Sequence, residues 1–115
     1  MTLATRAFLA AGLALLNVPL AWAQEKAPVQ ELYRVKCQQC HMPDGNAPLE
    51  PMNLADANWV HGSKPAEVAK VISEGLQGTA MLSFKSQLTP DEVVALAEYV
   101  RSFDKTLKSA KPRKK

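Results

Sequence analysis

The chain has 115 residues, 14 Lys and Arg against 11 Asp and Glu, and a formal net charge of +3. A chain of this length has room for one domain. The charge is uneven: residues 24–103 carry 7 basic and 10 acidic side chains, whereas residues 104–115 carry 6 basic and 1 acidic side chain. No nucleic-acid-binding motif accompanies the basic end, so its charge alone does not indicate a nucleic-acid partner.

The N-terminal segment has the three parts of a secretory signal peptide. Arg6 precedes an apolar run, and Ala21-Trp22-Ala23 supplies small residues at a cleavage position. We therefore expect cleavage before Gln24 and export to the periplasm. A retained membrane anchor is the alternative, but the apolar run is short for a span and contains Pro19.

The first predicted helix ends in the most informative motif of the chain. Pro28 is suited to open a helix, and apolar residues from Val29 onward recur with helical spacing. The motif Cys37-Gln38-Gln39-Cys40-His41 follows, which is the attachment signal for a c-type haem. Cysteines three apart share a helical face, so both thiols can add to the vinyl groups of one porphyrin. His41 then provides the proximal iron ligand.

A disulfide and a zinc site are the two alternatives to haem attachment for these cysteines. A disulfide is common in exported proteins, but it would not explain His41, and redox Cys-x-x-Cys motifs normally accompany a βαβ unit. A zinc site would use Cys37, Cys40, His41 and His61. Adjacent Cys40 and His41 cannot easily face one metal, so haem is the preferred interpretation.

Two further helices are predicted downstream. Residues 42–58 form a loop rich in Pro, Gly and Asn, which needs a partner such as a haem edge to order it. Pro65 starts the next helix and Gly75 ends it. After a loop over residues 76–88, Thr89-Pro90-Asp91-Glu92 is a capping box for the last helix. Its apolar face extends through Phe103, and Leu107 continues it into the tail.

The second axial ligand has four candidates, Met42, Met52, Met81 and His61. Met42 adjoins His41 and cannot reach the opposite side of the porphyrin. Met52 lies soon after the attachment motif, on the near side. Met81 lies in a glycine-containing loop far downstream, and it is preferred because His/Met ligation is typical of electron-transfer cytochromes. His61 would give a bis-His site with a lower potential.

These elements together predict an all-α protein of three to four short helices and long loops around one covalent haem c. The expected organisation is a signal peptide over residues 1–23, a haem domain over 24–103 and a basic tail over 104–115. For the tail, two interpretations stay open: a solvated terminus, or a contact with an acidic partner or an anionic membrane surface.

From about Leu32 to Phe103 the chain resembles the class I c-type cytochromes, and in particular the haem domains of bacterial cbb-type oxidase subunits. The matching residues are Asp44-Gly45, Asn53-Leu54-Ala55-Asp56, Trp59, Gly62, the helix from Pro65, Gly75, Met81 and Tyr99-Val100. The resemblance implies the cytochrome c fold. Two positions depart from the pattern: Leu82 stands where a proline often follows the methionine, and Val29 where a small residue is common.

The resemblance also implies roles for several residues. Tyr33 is expected to pack against Leu96 and Tyr99 of the last helix. The Trp59 indole N–H is expected to point toward a haem propionate. A proline carbonyl, from Pro48 or Pro51, is expected to orient the proximal imidazole.

The expected function is transfer of single electrons without transformation of a substrate. His41 and Met81 would fill both axial positions, which disfavours a gas-binding haem protein. A periplasmic carrier that docks transiently with redox partners is the first interpretation. A cytochrome subunit of a larger oxidoreductase or oxidase complex is the alternative.

Overall fold

The computed structural model describes residues 27–108. Within this range the helices are α1 (Val29–Lys36), α2 (Gln38–His41), a 3-10 helix (Glu50–Met52), α3 (Pro65–Glu74) and α4 (Pro90–Arg101), and there is no strand. The all-α prediction is confirmed. The expected signal peptide (1–23) and most of the basic tail (109–115) lie outside the described residues.

The periodicity predicted one unbroken helix through both cysteines. In the structure, α1 ends at Lys36, just before Cys37. Cys37 has φ −122° and ψ −38° and separates α1 from α2. The Cys37 N–H still donates to the Tyr33 carbonyl (2.8 Å), and the Cys37 carbonyl accepts from the His41 N–H (3.0 Å). Pro28 lies just before the first helical residue, at the cap. Cys37 therefore interrupts the helix within the haem motif while both of these backbone hydrogen bonds are kept.

The boundaries of α3 and α4 follow the predicted signals. Glu67 accepts a hydrogen bond from the Lys64 N–H at the start of α3 (3.0 Å), and α3 ends before Gly75, whose φ is +71°. Thr89 and Glu92 form the predicted capping box, with distances of 2.8 and 3.2 Å. These local bonds satisfy N–H groups that a helix start leaves without partners.

The core lies where α4 packs against α1 and α3. Tyr33 and Leu96 are 1% and 0% exposed, and both belong to the main apolar cluster. The Tyr33, Tyr99 and Phe103 rings meet edge to face, with centroids 5.1–5.3 Å apart. The expected contact of Tyr33 with the last helix is thus confirmed. The helix ends at Arg101, so Leu107 does not extend its face as predicted.

The loop after α2 is ordered by the side chain of Asn53. Its amide nitrogen donates to Asn46 Oδ1 (3.0 Å) and to the Ala47 carbonyl (3.2 Å). Its amide oxygen accepts from the N–H groups of Ala55 (2.8 Å) and Asp56 (3.2 Å). One side chain thus replaces several of the backbone bonds that irregular structure lacks. No helix between residues 27 and 108 has the length and apolarity required to span a bilayer.

Candidate haem site

A cavity of about 580 Å³ lies between α2, α3 and the two long loops. All five residues that the sequence assigned to the haem site line it: Cys37, Cys40, His41, Trp59 and Met81. The wall is completed largely by apolar residues, among them Pro51, Val60, Val68, Val71, Leu76, Leu82 and Phe84. The fold therefore brings residues as far apart in the chain as Cys37 and Met81 around one apolar space.

Cys37 and Cys40 sit one helical turn apart on the same side of the cavity. The Cys40 N–H donates to the Cys37 carbonyl at 3.2 Å, and both thiols are free. Burial raises the pKa of the Cys37 thiol to about 11. Redox-active Cys-x-x-Cys motifs work with a lowered thiol pKa, so the raised pKa of Cys37 does not suit disulfide exchange.

His41 is oriented by a backbone carbonyl. Its Nδ1 lies 2.7 Å from the Met52 carbonyl oxygen. A carbonyl oxygen only accepts, so Nδ1 carries the proton, and Nε2 is left with a lone pair for a metal. The expectation that Pro48 or Pro51 supplies this carbonyl is wrong. The short 3-10 helix that ends at Met52 brings the next carbonyl into reach instead.

Met81 is held by the turn that follows α3. The Leu76 N–H donates to the Met81 carbonyl at 2.9 Å, and the Met81 N–H donates to Thr79 Oγ1 at 3.2 Å. Gly75 allows this turn to close, because a Cβ on Gly75 would lie 2.7 Å from the Met81 oxygen and from the backbone of Leu82. Position 75 therefore requires glycine because the backbone of the loop that carries Met81 approaches it closely.

The remaining candidate ligands are placed differently. Met52 and His61 also line the cavity, whereas Met42 does not. The Met42 carbonyl instead accepts a 2.6 Å hydrogen bond from the Tyr33 hydroxyl, which ties the end of α2 to the aromatic core. Burial raises the pKa of Tyr33, so this hydroxyl remains a donor.

Trp59 lines the cavity, but its N–H has a partner other than the expected propionate. The indole Nε1 donates to Asp104 Oδ2 at 2.8 Å. Because an indole has one N–H group, this bond uses its only donor. Asp104 was missed by the sequence analysis; the single signal for it was an acidic residue at the start of a basic tail.

The donor set fits a c-type haem. Two thiols one turn apart, an imidazole with a free Nε2 and a thioether all face one apolar cavity. Cys37 and Cys40 would hold the porphyrin, and His41 and Met81 would supply the ligands to its iron. Within residues 27–108, no three His, Cys, Asp or Glu side chains are grouped to bind a metal ion.

Fold and cavity together define a c-type cytochrome. The family model described as cytochrome c oxidase, cbb3-type, subunit III matches residues 24–100, and the chain belongs to this family. The resemblance seen in the sequence is thereby confirmed. This membership also supports the interpretation of the chain as an electron-transfer protein rather than an enzyme.

Similar proteins include three subunits of cbb3-type cytochrome c oxidase. FixP of Sinorhizobium medicae is 32% identical over 62% of this chain, and FixP of Bradyrhizobium diazoefficiens is 30% identical over 75%. CcoP of Rubrivivax gelatinosus is 30% identical over 69% of the chain. The chain spans only 26–30% of the length of these three relatives.

A solved structure supports the fold directly. The KustC0563 c-type cytochrome is 36% identical to this chain and superposes with a TM-score of 0.55. The match covers 66% of this chain and 96% of that one. The cytochrome c fold expected from the sequence is confirmed.

Proposed function

We propose that this chain is a monohaem c-type cytochrome that transfers single electrons between redox partner proteins. The observation that carries the proposal is the meeting of Cys37, Cys40, His41 and Met81 at one apolar cavity. When bound, a haem c supplies a reversible one-electron couple.

The chain's own residues orient the proposed iron ligands and keep the cavity apolar. The Met52 carbonyl fixes the imidazole of His41 in one tautomer and one orientation. The turn that closes on Gly75 holds the Met81 backbone, and so presents its thioether from the opposite loop. Val68 and Phe84 contribute to an apolar wall that limits water, which favours a high reduction potential.

The mouth of the cavity offers a surface for brief docking. Val60 and Leu82 line the cavity and are 77% and 70% exposed. Exposed apolar side chains at a cofactor cavity suit a small interface, of the size used by transient redox complexes. The basic tail, residues 104–115, would add an electrostatic contact with an acidic partner or an anionic membrane surface.

The sequence left two interpretations open, a freely diffusing carrier and a subunit of a larger complex. The relatives support the subunit better. Their names are those of cbb3-type oxidase subunits, which favours a cytochrome subunit of an oxidase complex over a freely diffusing carrier. Gel filtration of a native detergent extract separates the two. Elution of the haem-stained chain with a large complex supports the subunit, and elution at its monomer size supports the carrier.

Export to the periplasm is part of the proposal and rests on the sequence pattern of residues 1–23. N-terminal sequencing of the protein from the periplasmic fraction tests it. A mature chain that begins at Gln24 is the expected result. An intact Met1 would contradict cleavage and favour a retained anchor.

Covalent attachment is tested by peroxidase staining of a denaturing gel. A thioether-linked haem survives denaturation, so the wild-type band should stain. The double variant Cys37→Ser/Cys40→Ser should lose the stain completely. His41→Ala is an informative companion, because it removes an iron ligand and leaves both thiols in place.

A further inference from the structure

Residues 58–62 form a continuous stretch of the cavity wall. Hydrogen bonds from the last residue of α4 and from the segment after it hold this stretch and the adjoining Ser63. The Trp59 Nε1–H donates to Asp104 at 2.8 Å. The Arg101 Nε–H donates to the Ser63 carbonyl at 2.6 Å. These bonds join positions 45 and 38 residues apart. They are therefore tertiary links between the cavity wall and the C-terminal part of the domain.

Asp104 is the one buried charged residue in the described part of the chain, with 3% of its surface exposed. Its Oδ1 accepts from the Thr106 N–H (2.9 Å) and the Thr106 hydroxyl (2.7 Å). Its Oδ2 accepts from the Trp59 indole. The Thr106 and Trp59 donors lower the pKa of Asp104. The carboxylate is thus fixed by Thr106 on one side and free to direct the indole on the other.

We propose that Asp104 is a positioning residue for the haem site, holding the Trp59 indole against the cavity wall so that water stays out. The inference rests on the proposed function, since its consequence is a higher reduction potential. Trp59 packs against the main core and lines the cavity at the same time. Loss of the hydrogen bond from the indole N–H to Asp104 would free the indole to rotate and open the wall.

The direction of the change in reduction potential distinguishes two roles of Asp104. One role is to position Trp59, and the other is a direct effect of the Asp104 charge on the haem. Water admitted to the cavity stabilises the oxidised, more positively charged state, and so lowers the potential. Loss of a nearby carboxylate acts oppositely, because an anion also stabilises the oxidised state. A lower potential after removal of Asp104 therefore indicates that its role runs through Trp59.

A double-mutant cycle on the full, haem-loaded chain tests this role. Midpoint potentials are measured for wild type, Asp104→Ala, Trp59→Phe and the double variant. Asp104→Ala should lower the potential in the wild-type background. In the Trp59→Phe background it should not lower the potential, because only the opposite effect of the lost charge remains there. Glu74→Ala, which removes an exposed acid at the end of α3 outside the cavity, should leave it unchanged.

An equal shift in both backgrounds, or a raised or unchanged potential for Asp104→Ala in the wild-type background, would overturn the proposal. If Asp104→Ala does not fold, exchange of the Trp59 indole proton in the reduced wild-type protein replaces the cycle. Slowed exchange is expected, and exchange as fast as in free tryptophan would overturn the proposal. A chain without bound haem contradicts the proposed function, whereas a haem-loaded chain insensitive to Asp104 contradicts this inference alone.

Discussion

The Nδ1 atom of His41 and the carbonyl oxygen of Met52 lie 2.7 Å apart, and this contact orients the imidazole that faces the cavity. The acceptor belongs to the backbone, so the contact does not depend on the methionine side chain. Met52 and Met81 both line the cavity, yet they serve in different ways. The first offers its carbonyl, whereas for the second we propose that it offers its sulfur.

The same substitution at these two methionines should therefore give opposite results. Met81→Leu should abolish the far-red absorbance band that marks sulfur bound to oxidised haem iron, and it should lower the potential. Met52→Leu keeps the backbone carbonyl and should retain the band. Absorbance spectra of the oxidised variants make the measurement. A band that survives in Met81→Leu would refute the assignment of this ligand.

Gly75→Ala should destabilise the domain and disturb the methionine loop. With φ +71° and ψ −173°, this backbone conformation costs a side-chain-bearing residue about 1–3 kcal/mol. The added Cβ would also lie 2.7 Å from the Met81 oxygen. Gly78→Ala is the matched control, because Gly78 has φ +78° and nothing within 4 Å of the new carbon.

Urea denaturation should show a larger loss of stability for Gly75→Ala than for Gly78→Ala, and only Gly75→Ala should weaken the far-red band. Equal losses, with equal spectra, would mean that the close approach to the methionine loop has no energetic role.

Thr89→Ala should lower the free energy of unfolding by about 1 kcal/mol. The Thr89 hydroxyl accepts from the Glu92 N–H at 3.2 Å, and the Glu92 carboxylate accepts from the Thr89 N–H at 2.8 Å. Thr89→Ser keeps a hydroxyl cap and should stay close to wild type. Chemical denaturation of both variants checks this. Equal destabilisation by Ser and Ala would show that the hydroxyl does not cap α4.

Acid should weaken the fold through Asp104. Hydrogen bonds from Thr106 and Trp59 hold its pKa below the ordinary value of 3.8. The carboxylate thus stabilises the folded state above about pH 4, and this contribution disappears as the pH falls through the folded pKa. Asp104→Asn should be less stable than wild type at pH 7, with the difference shrinking toward pH 2. A constant difference across this range would contradict the assignment.

The parts of the fold that were predictable from sequence are those with local causes. The capping box at Thr89 and the stop at Gly75 lie within a few residues of the helix ends they define. The break at Cys37 was not predictable, because its flanking residues keep helical spacing and its hydrogen bonds survive.

At the site, the meeting of Cys37, Cys40, His41 and Met81 at one cavity was predictable, because the motif is rare and Met81 lies in a glycine-containing loop. The contacts that orient these side chains were not predictable. The carbonyl that orients His41 belongs to an aperiodic loop, where the side chain at Met52 carries no signal for it. The partner of Trp59 lies 45 residues away, beyond the last helix. Such long-range contacts depend on the packing of α4, which no local pattern encodes.

A redox titration of the purified protein, followed by its visible spectrum, tests the central claim most directly. A single low-spin haem held by Cys37 and Cys40, with His41 and Met81 as axial ligands, should titrate as one wave with a slope of about 59 mV per tenfold change in the ratio of oxidised to reduced protein. A spectrum without a reducible haem, or a titration with two waves, would contradict a single-haem electron carrier.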